Sequence, residues 1–137
     1  MDLVDYAQNF IGTPYIWGGE HPSYGYDCSG FIQEVLASKG LDPAGDQTAQ
    51  GLFNTLIQQT GGYMPAKPKR NDVLFFGSEV NSITHIELAV DGMTMIGSSG
   101  GGSKTTSLSV AIAHKAMVKV RPIHTRKDLI GIIRVLE

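Results

Sequence analysis

Apolar residues recur at helical spacing through the first sixty positions and then give way to short, dense apolar runs. Leu3, Ala7 and Phe10 predict a first helix, capped by Asp2 and ending near Gly12. Phe31, Ile32, Val35 and Leu36 lie on one face of a second, with Gln33, Glu34 and Ser38 turned away and Gly40 placed to end it. Leu52, Phe53, Leu56 and Ile57 mark a third that stops at Gly61-Gly62. From Asn71 the texture is that of strands: Val73 to Phe76, Ile83 to Val90, Met93 to Ile96, Met117 to Val120 and Ile130 to Val135. Asp91-Gly92, between two of these runs, predicts a hairpin with a type I′ turn. Helices first and strands afterwards give an α+β fold rather than alternating βαβ units.

The chain has 137 residues, which is one domain's length, and residues 1–137 are expected to form a single unit. A formal net charge of −2 with no basic run argues against nucleic acid as a partner. No apolar stretch reaches the length of a membrane span, so no membrane is expected. The start, Met1-Asp2-Leu3-Val4-Asp5, is acidic where a secretory leader is basic, and no signal peptide is expected. Scattered histidines and a single cysteine lack zinc spacing, so neither a metal nor a cofactor is expected.

That single cysteine, Cys28, falls where the loop Tyr24-Gly25-Tyr26-Asp27 runs into the second helix. Unpaired N–H groups and the partial positive charge of a helix N-terminus stabilise a thiolate, so an acid-shifted nucleophile is expected. Asp27 is placed to cap the helix. A small buried core thiol is the alternative reading. A thiol nucleophile needs a base. Among four histidines, His21, His114 and His124 read as surface residues, whereas His85 opens a strand after the turn at Asn81-Ser82. Alternation puts His85, Glu87 and Ala89 on one face and Ile86, Leu88 and Val90 on the other. The glycine-rich run from Gly97 to Thr105 is not a phosphate loop, because Ser103 separates Gly102 from Lys104 and Thr-Ser-Leu-Ser-Val reads as strand or loop. It is expected at the rim of the site.

Four segments in order, Gly12-Thr13-Pro14-Tyr15-Ile16-Trp17-Gly18-Gly19, Asp27-Cys28-Ser29-Gly30-Phe31, Asn71-Asp72-Val73-Leu74-Phe75-Phe76 and Thr84-His85-Ile86, resemble the NlpC/P60 cysteine peptidases from Asp2 to at least Ile96. The resemblance implies a papain-like α+β core and a bacterial peptidoglycan stem peptide as substrate, cut between D-γ-glutamate and a diamino acid. It makes Cys28 the nucleophile and His85 the base, puts the Tyr15 hydroxyl near the thiolate, and gives Asp27 and Ser29 the free amine of the stem peptide. Residues 46–51 and 102–105 resemble a short branch associated with phages and prophages, which implies phage tail proteins as partners.

One position departs from the family. The polar residue that orients the histidine, on the following strand, is here Gly97. Glu87, Ser98, Ser99 or a water are the candidates to replace it. A polar side chain restored at position 97 is therefore expected to raise activity. Three functions remain open: a peptidoglycan endopeptidase, a catalytically weak or inactive module that binds wall peptides or builds a phage tail, and a thiol amidase or acyltransferase of related fold.

Overall fold

In the computed structural model, which describes residues 1–21 and 25–136, each apolar stripe of the N-terminal half closes onto one sheet. The helices are α1 (Leu3–Gln8), α2 (Cys28–Ala37) and α3 (Ala49–Gln59). They bury Leu3, Val4 and Ala7, then Phe31, Ile32, Val35 and Leu36, then Leu52, Phe53 and Leu56. Each large side chain removed from water in this way contributes about 1.5–3 kcal/mol.

A two-residue ribbon, β1 (Glu20–His21) and β2 (Gly25–Tyr26), precedes α2 where the sequence reads as loop. Tyr24, which opens the cysteine segment, lies outside the described residues, as does Pro22 beside His21. The main sheet has five antiparallel strands, β3 (Asp72–Gly77), β4 (Ile83–Ala89), β5 (Thr94–Ser99), β6 (Met117–Pro122) and β7 (Leu129–Arg134), in the order β6-β5-β4-β3-β7. One face carries Val73, Phe75, Ile86, Leu88, Ile96, Val118 and Ile133 against the helices. Leu74, Phe76, Ala89, Met95 and Ile132 form a second, smaller cluster with Ile123. The period-two alternation of β4 is borne out.

Two local readings are corrected. Thr-Ser-Leu-Ser-Val is not strand or loop: Leu108–Ala113 is a helix, α4, whose N-cap Ser107 accepts from the Val110 N–H. The β4–β5 hairpin exists, but Gly92 does not take the positive φ of a type I′ turn. The Asp91 carboxylate instead accepts from the N–H groups of Met93 and Thr94, at 2.8 and 2.7 Å, and builds the turn itself.

Asn71-Asp72 is a structural clasp. Asn71 takes φ +76, and its side chain accepts from Val4 N–H and donates to Asp2, tying the short α1 to the sheet. Arg70 adds contacts to Asp2 and Asp5. Asp72, buried, is gripped by Arg134 at 2.9 and 2.8 Å and by the Lys69 N–H at 2.8 Å.

Residues 46–51 also hold the fold. Gln47 N–H donates to the buried Gln33 of α2, and Thr48 caps α3. Gln50 bonds Val80 O at 2.9 Å and Ile83 N–H at 2.8 Å, fixing the entry to β4 two residues before His85.

Candidate active site

Cys28 begins α2 because Asp27 ends the extended segment before it: its carboxylate accepts from Gly30 N–H at 2.7 Å and from the Ser29 hydroxyl at 3.3 Å. The helix start is pressed under the preceding loop, with Asp27 N–H on Gly19 O at 2.9 Å. A Cβ at position 30 would collide with that same Gly19 carbonyl. The glycine of Asp-Cys-Ser-Gly is therefore a requirement of close approach.

The backbone N–H groups of Ile86 and Ser29 lie close enough to the Cys28 sulfur to favour its anion. The Ile86 contact is available because the β4–β5 ladder pairs only Leu88 with Ile96 and Ala89 with Met95, so the start of β4 parts from β5. The thiol thus meets the strand one residue from His85. A cleft of about 260 Å³ opens over it, lined by Tyr15, Trp17, Asp27, Cys28, Ser29, Thr48 and Thr84. Trp17 is half exposed at its rim, and the 100–105 loop lies alongside: Trp17 N–H donates to Thr105 O, and Gly101 packs on the Tyr15 ring. Residues 100–105 are at the rim, as the sequence predicts, whereas Gly97, Ser98 and Ser99 at the start of that run belong to β5.

The acid-shifted thiol is not found. Burial pushes Cys28 up to about 12, the charges of Asp27 and Glu87 push the same way, and the two N–H donors offset only part of this. Desolvation outweighs the helix terminus, even though Cys28 is only partly buried where it lines the cleft. Burial also raises Asp27, although Gly30, Ser29 and Gly18 donate to it. Tyr15 is raised by burial and by the charges of Cys28 and Asp27, and stays a phenol.

His85 is buried on the sheet, its ring 5.9 Å from that of Phe76. Its Nε2 lies 2.8 Å from Glu87 Oε2. Continuing the β4–β5 register sets Glu87 opposite Gly97, and a Cβ at 97 would stand 2.7 Å from Glu87 Cγ and Oε1. The missing side chain is the space that the Glu87 carboxylate fills. Ser98 is not an orienting residue: it points to the other face, where its hydroxyl donates to Tyr26 O at 2.7 Å. Ser99 is buried without a partner of its own among the described residues. His21, His114 and His124 are exposed and do not line the cleft.

Arg121 was not legible as part of this arrangement. Its Nη2 donates to Glu87 Oε2 at 2.5 Å. The sequence pattern ends its strand at Val120, and only the sheet order, with β6 two strands from β4, brings Arg121 to Glu87. Among the described residues, no three His, Cys, Asp or Glu side chains are grouped to hold a metal ion, and no helix is long and apolar enough to cross a membrane.

A helix-borne thiol set against an antiparallel sheet that carries a histidine is the papain-like arrangement. The NlpC/P60 family matches residues 12–122, and the chain belongs to that family. It is 32% identical over 127 residues to the gamma-D-glutamyl-L-lysine dipeptidyl-peptidase of Bacillus subtilis, covering 88% of this chain and 40% of the relative. It is 32% identical over 107 residues to the bifunctional muramidase/DL-endopeptidase CwlT of the same organism, covering 74% of this chain and 30% of the relative. The chain therefore spans less than half the length of these curated relatives. Among solved structures, the NlpC/p60 domain of the peptidoglycan hydrolase SagA superposes with a TM-score of 0.69 at 27% identity, covering 97% of this chain and 96% of that one. RipD of Mycobacterium tuberculosis, described as a non-catalytic NlpC/p60 domain protein adapted to peptidoglycan binding, shares the fold with a TM-score of 0.68 at 18% identity, covering 98% of this chain and 95% of that one.

Proposed function

We propose that this protein is a cysteine endopeptidase acting on peptidoglycan stem peptides, at the bond between D-γ-glutamate and a diamino acid. One observation carries the reading: a helix-borne thiol that faces β4 at Ile86, the residue after a histidine whose Nε2 is held by a carboxylate. The names of the two Bacillus subtilis relatives support the substrate class.

With its thiol pushed up, Cys28 gives up its proton as the sulfur attacks. His85, with Nε2 held by Glu87, offers Nδ1 as the acceptor. A sulfur–carbon bond forms at the scissile carbonyl while its oxygen becomes an oxyanion. N–H groups at the α2 start stabilise that oxyanion, each contributing about 2.7–4 kcal/mol in preorganised sites. Collapse breaks the carbon–nitrogen bond, and imidazolium returns the proton to the leaving amine. Water then cleaves the thioester, giving one proton to His85 and regenerating the thiol. Asp27, with Ser29 beside it, holds the free amine of the stem peptide, and Tyr15 and Trp17 wall the cleft.

Mass spectrometry of purified muropeptides incubated with the protein tests this. The expected products end at D-γ-glutamate and begin at the diamino acid, and Cys28→Ala abolishes them. Intact muropeptides after incubation with the unsubstituted protein would reject it. A second reading, a module that binds wall peptides without cutting them, is favoured by a thiol pushed up rather than acid-shifted. It requires muropeptide binding without products. The association with phage tails rests on the sequence texture of residues 46–51 and 102–105.

A further inference from the structure

Glu87 is fully buried, yet its carboxylate serves two partners through a single oxygen: Oε2 meets His85 Nε2 at 2.8 Å and Arg121 Nη2 at 2.5 Å. Its other oxygen, Oε1, and Arg121 Nε are buried with no hydrogen-bond partner among the described residues. A buried carboxylate persists as an ion only beside a compensating cation. Arg126 lies near enough to feel Glu87 and Cys28, but its guanidinium is committed to Asp128 at 2.9 and 2.7 Å, over the Phe76 ring. Asp128 in turn feels His85. The cation that answers Glu87 is therefore Arg121.

We infer that Arg121 is a positioning residue for His85: by neutralising Glu87 it relieves the imidazole of serving as the counter-ion, so that His85 can stand neutral and accept the proton of Cys28. The inference deepens the peptidase reading and, for its catalytic consequence, rests on it. Without Arg121, the one remaining group among the described residues able to balance the buried carboxylate from within hydrogen-bond reach is His85 itself. A histidine locked as imidazolium is no base. Gly97 belongs to the same device, since any side chain there would displace the carboxylate that both partners share.

The test follows the His85 ring by NMR across pH in a Cys28→Ser background, for unsubstituted Arg121, R121M, R121K and R121M/E87Q. An opposite charge at this distance shifts a titration by about one pH unit or more. R121M is expected to move the His85 midpoint upward by that amount, R121K to stay near the parent, and R121M/E87Q to fall back below R121M. R121Q, which keeps a donor but no charge, takes the place of R121M if the latter does not fold, with the same expected direction. A midpoint unmoved or lowered in folded R121M or R121Q would overturn the inference. With Cys28 intact, the acid limb of kcat/KM on a stem peptide should move in step with the NMR midpoint. Because the NMR reading needs no turnover, absence of peptidase activity in the parent would count against the peptidase reading and leave the charge arrangement to be judged by NMR alone.

Discussion

Glu87 reaches back along its own strand to place Oε2 2.8 Å from Nε2 of His85, two residues before it. The partner is supplied from within β4, across the space left open by Gly97 on β5. This reverses the expectation that a polar residue at 97 improves the site. Gly97→Ala and Gly97→His should both lower kcat, by about 10²-fold, the scale of an ångström's misplacement of a catalytic group. KM should change little. A kcat for Gly97→His above that of the parent would show that Glu87 is dispensable.

The reactivity of Cys28 should show its burial. With the thiol pushed up to about 12, the iodoacetamide alkylation rate should be low at pH 7 and still climbing tenfold per unit at pH 10. The same protein unfolded in urea should reach half its limiting rate at about pH 8.5. A plateau below pH 8 in the folded protein would mean that a preformed ion pair overrides desolvation.

Asp27→Asn keeps a capping side chain, so α2 should remain intact while the negative charge is lost. If Asp27 holds the free amine of a stem peptide, KM should rise about 10–100-fold, as expected for one charge-assisted hydrogen bond, with kcat nearly unchanged. Burial raises the folded Asp27, so it takes up a proton at higher pH than an ordinary carboxylate. KM in the parent should therefore begin to climb, as pH falls, above the usual carboxylate range. An N-acetylated peptide should show neither effect.

The Asp72–Arg134 pair is a matter of stability. Asp72→Ala leaves Arg134 and the Lys69 N–H without their shared acceptor and should cost about 3–5 kcal/mol in urea unfolding. Asp72→Ala combined with Arg134→Met should cost less than the two single changes summed. Additive losses would mean that each residue acts alone.

The helices of the first half were legible because one face of each is continuously apolar, and Cys28 stood out because Asp27 and Gly30 bracket it. The strands and the face shared by His85 and Glu87 followed from alternation. α4 was hidden because Thr106, Ser107 and Ser109 favour caps and turns, and its exposed Leu108 and Ile112 give it no apolar stripe. Glu87 was underrated because Cα separations along a strand ignore a long side chain folding back into an empty neighbouring position. The state of the thiol escaped notice for another reason: a helix terminus can be read from sequence, whereas how deeply a sulfur is buried depends on the assembled sheet.

Carrying the proposed base, His85, and its carboxylate partner, Glu87, on one strand has a mechanical consequence. Where those two groups sit on neighbouring strands, any widening of the seam between the strands changes their distance. Here the start of β4 has already parted from β5, and the separation of His85 from Glu87 is set by two peptide units of a single chain segment. A change in the width of that seam would leave this separation, and with it the bearing of the imidazole, as it is.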